Sequence, residues 1–379
     1  MPFTFSGLNF VGDVSAQAVF PPPPPPPTVY LWSWGQGSSG QHGLGNTTSV
    51  SSPTQIGALS TWTTIDAGWR HGMAVKTDGT LWTWGENYTG RLGLGNTAHR
   101  SSPVQVGAET TWSRVAAGYE HSLAIKTDGT LWSWGENYPG GKLGLGDTTN
   151  QSNPVQVGAL TTWSSIAAGG FGHSLAIKTD GTLWSWGQNN NGQLGLGNTT
   201  NRSSPVQVGA LTTWSSIAGG GNSISISLKT DGTMWVWGRN YVGKLGLGDT
   251  TDRSSPVQIG ALTTWLTVAA GYDHNLAVKT DGTMWGWGFN SAGMLGLGNT
   301  TSYSSPVQVG AGTTWSSVDA GEYHSMAIKT DGTLWSWGYG LLGQLGDGTN
   351  VSKSSPVQIG ALTNWSKISG GGNWSMAIG

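Results

Sequence analysis

Five histidines recur in one setting along the 379-residue chain: His71, His121, His173, His274 and His324 each open a short apolar run. Imidazole is a common metal ligand and general base, so a series of them invites a metal or proton-transfer reading. The spacing opposes it. Consecutive copies stand 50 to 52 residues apart, one whole repeat each, whereas metal–nitrogen bonds are about 2 Å. Two further copies carry Ile224 and Trp374 instead, which points to packing. Carboxylates recur too, in Lys-Thr-Asp-Gly turns at Asp78, Asp128, Asp180, Asp231, Asp281 and Asp331. Asp at a turn serves local hydrogen bonds, and paired-carboxylate catalysis needs two in one site. Asp66 and Asp319 replace Ala in the first run of two repeats. They are expected at solvated polar positions, with the lining of a central channel as the alternative. Cys is absent, which excludes thiolate nucleophiles, disulfides and Cys-ligated zinc. No Ser-His-Asp, His-Glu-x-x-His or calcium-loop pattern occurs, and the Gly-Leu-Gly runs do not open a helix as a phosphate loop must. The expectation is a chain that is not an enzyme, with no catalytic residue, metal or cofactor.

These residues sit in a repeat. The pair Trp-x-Trp-Gly occurs seven times, from Trp32/Trp34 to Trp335/Trp337, and a third tryptophan marks each unit, from Trp62 to Trp365. Such a period reads as a solenoid, a propeller or an array. Each unit holds four short strand-like runs, in one copy Trp163–Ala168, His173–Lys178, Leu183–Trp186 and Pro205–Val208. Asp180-Gly181 separates the second and third, a strong hairpin signal. Four strands seven times is the arithmetic of a seven-bladed β-propeller. In Leu-Trp-Ser-Trp both indoles project to one face, so a bulky face is expected to stack on a mostly small one. The chain ends with two runs of a unit, Trp365–Ser369 and Trp374–Ile378, and opens after its proline tract with the other two, Tyr30–Trp34 and Pro53–Ile56. The fold class predicted is all-β: a closed seven-bladed β-propeller, one blade shared by both termini, with an extended N-terminal arm.

Charged residues are 9% of the chain and the net charge is −2, so no phosphate-neutralising surface and no nucleic-acid partner is expected. No apolar run reaches the ~18 residues of a membrane span. Ala16-Gln17-Ala18 resembles a signal-peptide ending, but no Lys or Arg precedes it and Asp13 interrupts the apolar part, so a cleaved signal is not expected.

The residues His173-Ser174-Leu175-Ala176, Trp186-Gly187-Gln188-Asn189 and Gly192-Gln193-Leu194-Gly195 resemble the regulator of chromosome condensation repeat. The resemblance covers residues 29–379. It implies a seven-bladed propeller, often with a blade shared by the termini, and no single activity. The family's eukaryotic founder exchanges guanine nucleotide on a small GTPase while docked on chromatin through a basic arm. Here residues 1–28 hold no Lys or Arg and the units vary in length by only two residues, so that activity is not expected. Secreted bacterial propellers that inhibit β-lactamases are more similar in style, and a bacterial or bacterial-virus type is expected.

Comparison of the seven units separates two faces. The Thr-Asp-Gly turns and Gly-Ala-Leu-Thr-Thr connections scarcely change, and both lie on one face. The other face carries the connections between strands one and two and between strands three and four. Aromatics collect there: Trp69, Tyr119, Phe171, Tyr272 and Tyr323 in the first set, Tyr88, Tyr138, Tyr241, Phe289 and Tyr339 in the second. Arg70, Glu86, Glu120, Glu136, Arg239, Asp273 and Glu322 vary beside them. Exposed aromatics grouped on one surface resemble interface hot spots, so this face is the expected site for a protein or glycan; the alternative is a cover for the ends of the core. Residues 1–20 do not match the repeat and contain Phe3, Phe5, Phe10 and Phe20 with a single charge, and Pro21–Pro27 follow. This reads as an attachment arm (1–20), a polyproline spacer (21–28) spanning roughly 20 Å, and the propeller (29–379). The expected role is a structural accessory of a large assembly, a tail, fibre or capsid-decoration protein on a virion surface, joined through residues 1–28. A secreted or cell-surface binder is the alternative.

Overall fold

The computed structural model describes residues 29–379; the arm and spacer expected over 1–28 lie outside the described residues. Among these, every regular element is a strand, and the strands form seven four-stranded sheets. The protein is an all-β seven-bladed propeller.

Blade 1 shows how one unit folds. Its strands are Trp62–Ala67, His71–Lys76, Leu81–Gly85 and Arg100–Gln105, paired antiparallel in chain order. The Asp78 carboxylate accepts the Thr80 N–H at 3.0 Å and the Thr80 hydroxyl at 2.7 Å, and that hydroxyl accepts the Trp82 indole N–H at 2.9 Å. Gly79 takes φ 76°, and a Cβ there would stand 2.0 Å from the Thr110 carbonyl. The turn therefore fixes both the hairpin and the third-strand tryptophan. Blades 2 to 6 repeat this over 112–156, 163–207, 214–258, 265–308 and 315–358. The fourth strand differs from expectation. In blade 3 it runs Arg202–Gln207, opening three residues before Pro205, because Arg202 pairs with Gly187 across a bulge.

The blade stacking also departs from expectation. The indoles do share one face: in blade 2 Trp112 meets Trp132 and Trp134 edge-on at 6.0 and 6.2 Å. The face opposing them is aliphatic rather than mostly small: Met73, Val75, Leu81 and Val106 of blade 1 enclose Trp112 and Trp134. The small residue between the two tryptophans serves a hydrogen bond; Thr83 donates to the Leu92 carbonyl at 2.8 Å. Trp134, fully buried, donates its N–H to the Arg91 carbonyl of blade 1 at 2.8 Å.

The seventh sheet draws on both ends of the described chain: Lys367–Gly370, Trp374–Ile378, Tyr30–Gly35 and Val50–Ser60. Its first strand starts two residues after Trp365 and its last is longer than the predicted Pro53–Ile56. Tyr30 donates its N–H to the Gly379 carbonyl at 2.9 Å. On one side Ser369 accepts the Ala67 N–H of blade 1 at 2.9 Å, and on the other the Gly370 N–H reaches Asp319 of blade 6 at 2.7 Å.

Candidate partner-binding face

The histidines are joints between blades. Each Nε2 lies 2.7–3.0 Å from a serine hydroxyl of the following blade: His71 to Ser122, His121 to Ser174, His173 to Ser225, His274 to Ser325, His324 to Ser375. The two exceptions change partners together. Where blade 4 has Ile224, blade 5 has Asn275 in place of serine, and its amide bonds the Lys244 carbonyl. Where the seventh blade has Trp374, blade 1 has Gly72, and the indole donates to the Gly68 carbonyl at 3.1 Å. Burial pushes all five imidazoles down, His173 and His274 to about 4 and His324 to about 3, so they stand neutral in the joint. No three metal-ligating side chains converge among the described residues.

The first aromatic set converges on the mouth of the central channel, because the loops that carry it leave the innermost strands. Trp69 stacks on Tyr119 at 5.4 Å, Tyr119 meets Phe171 at 5.4 Å, Phe171 meets Tyr272 at 5.6 Å, and Tyr272 meets Tyr323 at 5.5 Å. Backbone bonds between adjacent loops hold the ring, among them Gly170 N–H to the Gly220 carbonyl and Gly372 N–H to the Trp69 carbonyl. The Tyr119 ring lies across the mouth, and a Cβ on Gly221 would stand 2.7 Å from its hydroxyl. That hydroxyl is buried without a partner, and burial holds it protonated. Trp69 donates its N–H to Glu322 at 3.1 Å. This set therefore acts largely as a lid; Phe171, 42% exposed, is its accessible part.

The second set stands outside that lid. Tyr88 and Tyr138 are each 69% exposed and Tyr241 is 47% exposed. Phe289 and Tyr339 are half-buried, with Tyr339 against Tyr323 at 6.4 Å. Tyr88 packs edge-on to His99 at 4.4 Å. Tyr241 donates its hydroxyl to Asp273 and lies under Arg239 at 4.5 Å.

Beneath these loops lie cations that sequence reasoning missed. Arg91, Lys142 and Lys244 occupy one position of the Gly-x-Leu-Gly motif and are buried. Arg91 pairs with Glu86 at 3.0 Å and with Glu120 of the next blade; Lys142 pairs with Glu136; Lys244 pairs with Asp273 of the next blade at 2.8 Å. Arg70 also reaches Glu86, at 3.2 Å. Of the varying acids, Glu86, Glu120, Glu136 and Asp273 are thus counter-ions of buried cations, while Glu322 takes the Trp69 N–H. Burial pushes Lys244 down to about 8, against the pull of Asp273. The sequence signal was variation inside an otherwise constant motif.

The channel below the lid holds about 270 Å³ and is lined by the first strands of all seven blades, including Asp66 and Asp319. These two do line the channel, but not as plain solvated carboxylates. Asp66 accepts the Ala117 N–H at 2.6 Å and the Ser369 hydroxyl at 3.1 Å. Burial raises Asp66 to about 6; burial and the nearby Asp66 charge raise Asp319 to about 7.

Against known proteins, residues 31–318 match the family described as RCC1-like domain, and 331–378 match the regulator of chromosome condensation (RCC1) repeat. The chain belongs to the RCC1-like propeller family. It is similar to the ultraviolet-B receptor UVR8 of Arabidopsis thaliana, 34% identical over 127 residues, 32% of this chain and 28% of the receptor. It is also similar to protein RCC2 of Mus musculus, 43% identical over 89 residues, 23% of this chain and 17% of the relative. The chain therefore spans less than a third of these relatives. The crystal structure of Prp20p from Saccharomyces cerevisiae, described with its binding to Gsp1p and histones, superposes with a TM-score of 0.83 at 23% identity, covering 93% of this chain and 91% of that one. Human WBSCR16 gives 0.81 at 19% identity, covering 93% and 98%. At those identities the likeness shows the fold. These relatives are eukaryotic, and none of them speaks for a bacterial or bacterial-virus type.

Proposed function

We propose that the chain is a non-enzymatic binding propeller, its ring closed through the shared blade, that takes a protein or glycan on the face bearing Tyr88, Tyr138, Phe171 and Tyr241. One observation carries this reading: Tyr88 and Tyr138, 69% exposed, and Tyr241, 47% exposed, stand on loops that vary in side chain from blade to blade. The residues are rigid, amphipathic and already placed, which limits the ordering cost of binding.

The strand after the proline tract starts on the opposite face, where Tyr30 meets Gly379. That favours a two-ended protein: residues 1–28 attach to a large assembly, and the aromatic face points away from it. We put forward a virion surface as that assembly, supported by an arm rich in Phe and without Lys or Arg; an extracellular or cell-surface setting is the second reading, favoured by the exposed tyrosines, which suit glycans as well. Binding of Gsp1p and histones belongs to Prp20p; a likeness of fold at that identity does not carry it here. Attachment is tested by fusing residues 1–28 to an unrelated soluble domain and by deleting them. The fusion is expected to join the assembly and the armless propeller to fold but stay free. Armless propeller recovered on the assembly at normal occupancy would move attachment to a propeller face.

A further inference from the structure

The seventh blade has an unfinished edge. In the other six a lysine ammonium covers the tryptophans of the first and third strands; Lys178 lies 5.0 Å from Trp163 and 3.6 Å from Trp184. In those six a turn threonine also accepts the third-strand indole N–H, as Thr182 does for Trp184 at 2.9 Å. In the seventh blade the second and third strands come from opposite ends of the described chain. Gly379 stands where the lysine would be, and Tyr30 where the threonine would be. The edge-on pair Trp32 and Trp365, 5.9 Å apart, therefore has no ammonium over it. Trp32 Nε1 is buried with no hydrogen-bond partner among the described residues, unlike its six counterparts.

The surface beside one such pair is a groove. Between blades 3 and 4 it holds about 380 Å³ and is lined by Leu211, Trp214, Trp235 and Pro256. Leu362 is the repeat equivalent of Leu211 and is similarly exposed. We propose that the proline tract of this same chain, Pro21–Pro27, docks in the equivalent groove of the seventh blade, over Trp32 and Trp365. Three features select it as the occupant. It enters the propeller at this edge, since Tyr30 pairs with Gly379. It carries no charge, matching a groove that has lost its lysine. A polyproline helix is preformed and low in entropy, and aromatic-lined grooves recognise it for that reason. Seven prolines at about 3.1 Å each are long enough to cross both indoles. Being already stiff, the tract gives up little entropy on docking.

The absence of cysteine makes a disulfide test clean. Pro24→Cys is combined in the full chain with Leu362→Cys, in the groove, or with Thr61→Cys, exposed on the blade 1 side and next to Ser60, which pairs with Tyr30. In a buffer of mixed reduced and oxidised glutathione, whose disulfide is reduced as the protein disulfide forms, the Leu362 pair is expected to close about tenfold faster than the Thr61 pair, because docking raises the effective concentration at one side only. Adding Trp32→Leu, or replacing Pro22, Pro23, Pro25 and Pro26 by Gly, is expected to bring the two rates together; the glycine variant leaves the propeller untouched and decides the matter if the tryptophan variant fails to fold. Rates that are alike in the starting pair, or a preference that survives both changes, would overturn the proposal. Disulfide-linked dimers in place of closed monomers would also overturn it and give the groove to a second copy.

Discussion

The two faces of the propeller are held by different kinds of side-chain contact. On the constant face they stay within one blade: Asp78 with Thr80 and Trp82, and Lys76 over Trp62 and Trp82 at 5.0 and 4.5 Å. On the varied face pairs within a blade, such as Arg91 with Glu86, are joined by several that cross between blades: His71 with Ser122, Arg91 with Glu120, Lys244 with Asp273, Trp69 with Glu322. A contact within a blade can be copied seven times unchanged. A contact between blades must suit two units at once, so a change on one side asks for a change on the other, as Ile224 with Asn275 and Trp374 with Gly72 illustrate. Variation on this face is thus partly internal accommodation, and only what remains exposed is available for a partner.

The largest expected effect comes from cutting the one blade built from both ends of the described chain. Deleting 365–379 removes two strands of the seventh sheet and exposes the aliphatic flank of blade 6 and the tryptophan-bearing flank of blade 1. Cooperative melting is expected to be lost and sedimentation to show self-association; a monomer with unchanged melting would show that the two ends do not support one another. Next is acid. The five imidazoles have folded values depressed below 6.5, so between roughly pH 6.5 and 4 the folded state binds fewer protons than the unfolded one, and stability falls as pH drops. Asp66 and Asp319 oppose this: their folded values of about 6 and 7 give a stability that is full below about pH 4 and is lost as pH rises. Five groups outweigh two, so urea midpoints are expected to fall from pH 7 to 4. Asp66→Asn with Asp319→Asn is expected to steepen that fall; a shallower fall would contradict the assignment.

Single substitutions sharpen the contrast. Lys244→Met takes the ammonium from buried Asp273, leaving the carboxylate only its hydrogen bonds from Tyr241 and Asn222, and is expected to cost roughly 3–5 kcal/mol in denaturant unfolding. Lys244→Met with Asp273→Asn is expected to recover most of it, since blade 5 itself carries the buried Met294 at this motif position. On the constant face Thr80→Val breaks one within-blade network and is expected to cost only about 1 kcal/mol. Equal losses for Lys244→Met and Thr80→Val would erase the distinction between the faces.

Much of this was legible in the sequence. Blade number, hairpin turns and the shared blade follow from the repeated tryptophans and Asp-Gly turns, whose chemistry is local. The early start of the fourth strand was not, because Arg-Ser-Ser before Pro205 pairs across a bulge and shows no apolar alternation. Arg91, Lys142 and Lys244 were missed because charge ordinarily marks a surface, and only three-dimensional closeness supplies their acids. The aromatic residues were found as a group, but sequence could not separate Tyr119, which closes the channel, from Tyr88, which faces outward: both follow constant strands, and only the inner strand's position at the axis directs one of them inward. Residues 1–28 lie outside the described part of the chain, so their reading rests on composition.

The most direct measurement compares two triple variants of the full chain, Tyr88→Ala/Tyr138→Ala/Tyr241→Ala on the varied face and Thr127→Ala/Thr179→Ala/Thr280→Ala on the constant one, all six residues exposed. Equilibrium binding to the partner, recovered by cross-linking to the unmodified chain, is read alongside melting. The tyrosine variant is expected to lose at least about tenfold in affinity with its melting lowered only by the loss of the Tyr241–Asp273 hydrogen bond, and the threonine variant to bind as the unmodified chain does. Affinity lost in the threonine variant and kept in the tyrosine variant would place the partner on the opposite face and contradict the account.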